Sequence, residues 1–79
     1  MEYQQMRRIY LHDEIRDILI KNGNRWMTTE EIACWVNKRG RYKKTTRAKT
    51  PVVEKDQISA RTSNHLDIFK KDSGRIKLR

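Results

Sequence analysis

Between Asn37 and Pro51 the chain reads NKRGRYKKTTRAKTP, placing Lys38, Arg39, Arg41, Lys43, Lys44, Arg47 and Lys49 together with no acid among them. Such side chains do not make or break bonds on their own. They neutralise polyanions, above all the phosphates of nucleic acid. A solvated loop, or a nuclear-localisation run, has the same composition. Tyr42, inside the run, is suited either to stacking on a sugar or base or to packing. A second group follows in QISARTSN, where Ser59, Ser63 and Asn64 offer short hydrogen-bonding groups, Ala60 permits close approach, and Gln57 and Arg61 stand at the flanks. A third group is Lys70, Lys71, Arg75 and Lys77, close to the end of the sequence with Arg79 beyond them.

Bond-making chemistry finds little support. There is no glycine-rich phosphate cradle, and there are no paired carboxylates and no triad-like set. The single cysteine, Cys34, has no neighbouring histidine, and His12 and His65 are far apart in sequence. We expect no enzyme activity, no cofactor and no metal site.

The elements that must position the three groups are legible in the hydrophobic pattern. Leu11, Ile15, Ile18 and Leu19 fall on one helical stripe, with Asp13 and Glu14 near its start, Lys21 near its end and Gly23 as a stop. The spacing predicts a first helix over roughly residues 10–22. Trp26 and Met27 suit a short extended segment. Thr28 followed by Glu31 forms a capping box that starts a second helix at Thr29, with Ile32 and Val36 inward, Ala33 and Trp35 beside them, and Gly40 at the end. Both tryptophans are expected in the core or at its edge. Cys34, about 200° round the helix from Ile32, is expected to be partly exposed.

A third helix is predicted from near Pro51 to about His65, with Glu54 and Asp56 in its first turn. Ile58 and Thr62 face inward, and Asp56, Ser59, Ala60, Ser63 and Asn64 lie opposite. Small polar residues are an unusual choice for a face that needs only to stay soluble. In LDIFKKDSGRIKLR two extended runs flank DSG, and Ile76 and Leu78 alternate with Lys77 and Arg79: a β-hairpin with one buried and one basic face. Helix, short strand, helix, helix and hairpin is the order of a winged helix-turn-helix. The expected class is mostly α with a small β part, three helices plus a C-terminal β-hairpin wing.

The pattern resembles the HARE-type helix-turn-helix (winged-helix) domains of chromatin-associated proteins, restriction-system proteins and the delta subunit of bacterial RNA polymerase. The residues that carry the resemblance are LHDEIRDILIKNGNRWMTTEEIACWVNKRG, then KTPVVEKDQISARTSNHLDIF, then GRIKL. Its most specific pieces are Lys49-Thr50-Pro51 before the third helix, and Gly74, Ile76 and Leu78 in the wing. The chain departs from the family at Thr62, often apolar there, and in its more basic loop. The resemblance implies a DNA-binding or transcription-associated module over residues 10–79, with residues 1–9 as an N-terminal extension.

Charge points the same way. Seventy-nine residues make one domain with a modest core, burying about 60% of the surface of the unfolded chain. Residues 1–37 hold five basic and six acidic side chains, net −1, and residues 38–79 hold fourteen and four, net +10, which together give the formal charge of +9. One half therefore carries nearly all the positive field. Eight apolar residues in that half, from Val52 to Leu78, argue against a disordered basic tail.

The partner these features favour is double-stranded DNA. The third helix would lie in the major groove, and the loop and wing would hold phosphates. If about six charges neutralise phosphates, log affinity falls with log salt at a slope of roughly −5. Because the third helix is nearly neutral, sequence discrimination is expected to be weak. The alternative is a protein-interaction module docking on an acidic partner in a transcription or restriction complex, which predicts an exposed apolar patch around Ile20, Cys34 and Trp35. RNA is a further candidate partner. With no signal-like or membrane-spanning run, and one cysteine, the expectation is an intracellular monomer, in cytoplasm or nucleoid, or in the nucleus if eukaryotic.

Overall fold

The computed structural model describes residues 10–40, 42 and 52–79. The extension at 1–9, five of the loop cations (Arg41, Lys43, Lys44, Arg47 and Lys49) and the Thr50-Pro51 pair lie outside the described residues. Three helices and a three-stranded antiparallel sheet follow in the order α1 (Leu11–Lys21), β1 (Met27–Thr28), α2 (Thr29–Arg39), α3 (Lys55–Ser63), β2 (Phe69–Asp72) and β3 (Arg75–Leu78). No helix among the described residues is long and apolar enough to cross a membrane.

The stripe Leu11, Ile15, Ile18 and Leu19 is buried, together with Ile32, Ala33 and Val36 of α2, Ile58 of α3, and Met27, Phe69 and Ile76 of the sheet. Removing a side chain of this size from water stabilises by about 1.5–3 kcal/mol. Tyr42, Ile68 and Leu78 pack on the margin of this core, so Tyr42 is a packing residue. Both caps of α2 form as its sequence predicts. The Thr28 hydroxyl accepts from the Glu31 backbone N–H at 3.0 Å, the Glu31 carboxylate accepts from the Thr28 N–H at 3.0 Å, and Gly40 closes the helix with φ of 67°. That backbone N–H is the main reason the Glu31 carboxyl lies below its ordinary value, with Arg25 adding to the effect.

Strand order is β1-β3-β2, so the last strand in sequence is the middle one in space. Phe69 pairs with Leu78, Lys70 with Lys77, Lys71 with Ile76 and Asp72 with Arg75, while Met27 pairs with Ile76 from the other side. The two turn residues, Ser73 and Gly74, have φ of 52° and 79°. Positive φ at both positions is the requirement of a type I′ hairpin turn, whose twist matches that of the strands it joins.

Three expectations need correction. α3 starts at Lys55, not near Pro51, with Glu54 as its N-cap and not in its first turn. Val52 to Glu54 stay non-helical because Val53 is docked on α2: the Asn37 amide donates to the Val53 carbonyl and accepts from the Val53 N–H, both at 2.9 Å. α3 also ends earlier, at Ser63, where Asn64 and His65 close the last turn onto the Ala60, Arg61 and Thr62 carbonyls. The tryptophans stand further out than expected, each 37% exposed. His12 and His65, far apart in sequence, are neighbours in space. Their rings stack at 4.1 Å between centroids, with Tyr10 stacked on His12 at 5.6 Å.

Candidate nucleic-acid interface

α3 has little apolar surface with which to hold itself in place. Only Ile58 and Thr62 of its residues are buried. The Thr62 hydroxyl is satisfied within the helix, donating to the Ile58 carbonyl at 2.9 Å, with the Ser59 carbonyl 3.1 Å away. A buried hydroxyl with such a partner escapes the cost of an unmade hydrogen bond, which explains how a polar residue occupies this position. The rest of the grip is polar. Asn37 holds the strand-like lead-in, and Gln57 accepts from the Glu54 N–H at 2.9 Å.

On the side of α3 facing the hairpin, the Lys71 ammonium donates to the Ser63 hydroxyl at 2.7 Å, the Ser59 carbonyl at 3.1 Å and the Ser59 hydroxyl at 3.3 Å. Three N–H groups thus meet three acceptors. The consequence is chemical as well as structural. Each serine oxygen accepts from Lys71, so its own hydroxyl hydrogen remains available for another acceptor. The arrangement is a pair of polarised donors around a fixed positive charge, a combination suited to phosphate or to base-edge acceptors.

Of the other residues singled out from sequence, Ser63 and Asn64 are exposed beside Ala60, and Arg61 lies half-buried on the flank away from Ser59. Gln57 is taken up with capping. Two loop cations have different surroundings from those expected. Arg39 is bonded to Asp17 and lies 3.2 Å from the fully buried carboxylate of Glu14, its side chain only 15% exposed. That guanidinium joins α1 to α2, and it is the main cause holding the Asp17 carboxyl below its ordinary value. Lys38 lies over the Trp35 ring, 5.3 Å from its centroid. Helix geometry puts it about 100° from Asn37, away from the side that meets the lead-in to α3.

The hairpin cations do not act as one set. Side chains alternate across a sheet, and directly paired residues share a face. Phe69, Ile76 and Leu78 define the inner face, which Lys71 shares. Lys70, Arg75 and Lys77 are therefore on the outer face, with Asp72 opposite Arg75. Trp26, one residue before the inward Met27, joins them, and the Lys77 ammonium lies 5.6 Å from its ring centroid.

Sequence reasoning missed Asn37, because a side chain that bonds backbone sixteen residues away leaves no local trace. It also missed the pairing of Arg39 with Glu14, although a glutamate in the apolar stripe of α1 was a signal that a cation must reach it. Among the described residues, no group of three metal-ligating side chains converges. Compared with protein-family models, curated proteins and solved structures, the chain matches none.

Proposed function

We propose that the protein is a winged helix of the HARE-type kind that binds double-stranded DNA without catalysing a reaction. α3 enters the major groove, and the basic segment after α2 holds the flanking phosphates. The observation that carries this reading is Lys71, which ties the hairpin to α3 and leaves the Ser59 and Ser63 hydroxyls available to donate. The net charge of +9 supplies the long-range attraction. Asn64 extends the donor surface and suits adenine, while Arg61, on the other flank, suits a phosphate or guanine. Transcription or restriction is the setting that the family resemblance suggests, inside the cell.

The test is an amide-resolved NMR titration with a short random-sequence duplex at low and moderate salt. The expected result is shifts concentrated at Ser59 to Asn64 and Lys71 that weaken steeply as salt rises. A flat or salt-independent titration refutes the reading, and tighter binding to RNA of equal length transfers it to RNA.

A second reading has its own observation. Ile20 is 52% exposed, Trp35 37% exposed and Cys34 exposed, as a protein-docking module requires. Beside Trp35, a hollow of about 340 Å³ lies between α1 and α2, lined by Ile18, Lys21, Asn22, Trp35 and Arg39. Partner binding there moves the resonances of Trp35 and Ile20 and leaves those of Ser59 and Ser63 in place.

A further inference from the structure

The outer face of the sheet has a composition that folding does not explain. Lysine on an edge strand guards against unwanted strand pairing, and that accounts for Lys70 on β2. It accounts less readily for Lys77, because β3 lies between β2, which pairs with it from Arg75 to Leu78, and β1, which pairs with it at Arg75 and Ile76. Lys70 and Lys77 also stand directly opposite each other, a like-charge placement that weakens a sheet. Arg75 adds a third cation to the face, and Asp72 is the single acid among the hairpin residues there. Lys70 and Arg75 are exposed, and Trp26 offers a half-open aromatic edge beside Lys77. The cations serve no ion pair within 4 Å among the described residues, in contrast to Arg39.

We infer that this outer face is a second phosphate-binding surface, so that one molecule holds two segments of DNA, the first on α3 and Lys71 and the second on Lys70, Arg75 and Lys77. Charge selects the occupant: three cations against one acid among the hairpin residues of a face that the protein's own helices leave uncovered. Its geometry is independent of the first site, because the sheet stands between them. Residues Lys70 and Lys71 are adjacent in sequence yet project to opposite sides of that sheet. The inference rests on the duplex-binding reading above.

The experiment uses an immobilised short duplex loaded with the full chain, washed, then offered a second, fluorescent duplex. Wild type should retain the second duplex. The variant carrying Lys70→Gln, Arg75→Gln and Lys77→Gln should capture about tenfold less while holding the first duplex within about threefold of wild type, since three phosphate contacts are lost from one surface only. Thermal melting of the variant confirms that its fold is kept. Unchanged capture by the variant overturns the inference, as does an equal loss of both duplexes, which would mean one continuous surface. Wild type that holds the first duplex but captures no second overturns the inference alone. Wild type that holds neither overturns the duplex reading with it.

Discussion

Lys70 and Lys71 are the same residue type one position apart, and they differ in almost everything else. Lys71 shares the inner face with Phe69 and Ile76 and delivers its charge to α3 through three hydrogen bonds. Lys70 faces a second lysine on the open side of the sheet. The difference shows that neighbours in a basic run need not share a surface. The pleat sorts this run into a cation bonded to α3 and a cation on the open face of the sheet.

The strongest way to break this comparison is to remove the residue on which both faces hang. Phe69→Ala should cost about 4 kcal/mol. At about 4–8 °C per kcal/mol for a domain this small, melting followed by circular dichroism should show most of the fold lost at physiological temperature. Next comes Arg39→Ala, which should cost about 3 kcal/mol by depriving the buried Glu14 of this partner. Below its melting point that variant should bind duplex within about twofold of wild type, because Arg39 serves the fold. A large affinity loss in the still-folded variant would return it to the interface.

Lys71→Ala should change stability by less than about 1 kcal/mol but weaken duplex binding about tenfold, and should flatten the salt dependence by about 0.9 in slope. Lys70→Ala should move single-duplex affinity by less than about threefold with stability within about 0.5 kcal/mol. Equal effects of the two lysines, measured by fluorescence anisotropy, would abolish the distinction between the faces.

The smallest effect expected is with pH. Asp17 and Glu31 have carboxyls depressed below their ordinary values of 3.8 and 4.5. A depressed carboxyl stabilises the fold fully above the ordinary value, and the contribution disappears as pH falls through the folded one. Denaturant titrations should therefore show stability level above about pH 5 and falling below it. In Arg39→Ala the part due to Asp17 should shrink, and a steeper acid loss would count against the assignment.

Periodicity made much of the fold legible. The buried stripe of α1, the capping box of α2 and the two faces of the hairpin follow from local spacing. What stayed hidden was long-range and polar. Asn37 replaces a missing backbone partner for Val53, and that contact starts α3 later than Pro51 suggests. His12 and His65 looked unrelated because nothing in a one-dimensional pattern reports stacking between a helix start and a distant turn. At the candidate site, residue types were readable and their grouping was not: the basic run in the hairpin gave no sign that one of its lysines would meet Ser59 and Ser63.

The central place of β3 governs how the molecule assembles. β1 and β2 do not touch as strands and meet only through β3. The Leu78 N–H also reaches back 54 residues to the Asn24 side chain at 2.8 Å. The β2–β3 hairpin closes locally through its two-residue turn, whereas joining β3 to β1 closes the long loop between Thr28 and Arg75, at a greater cost in chain entropy. β3 is then a keystone: its Ile76 pairs with Met27 on one side and with Lys71 on the other, joining the first half of the chain to the hairpin in one sheet.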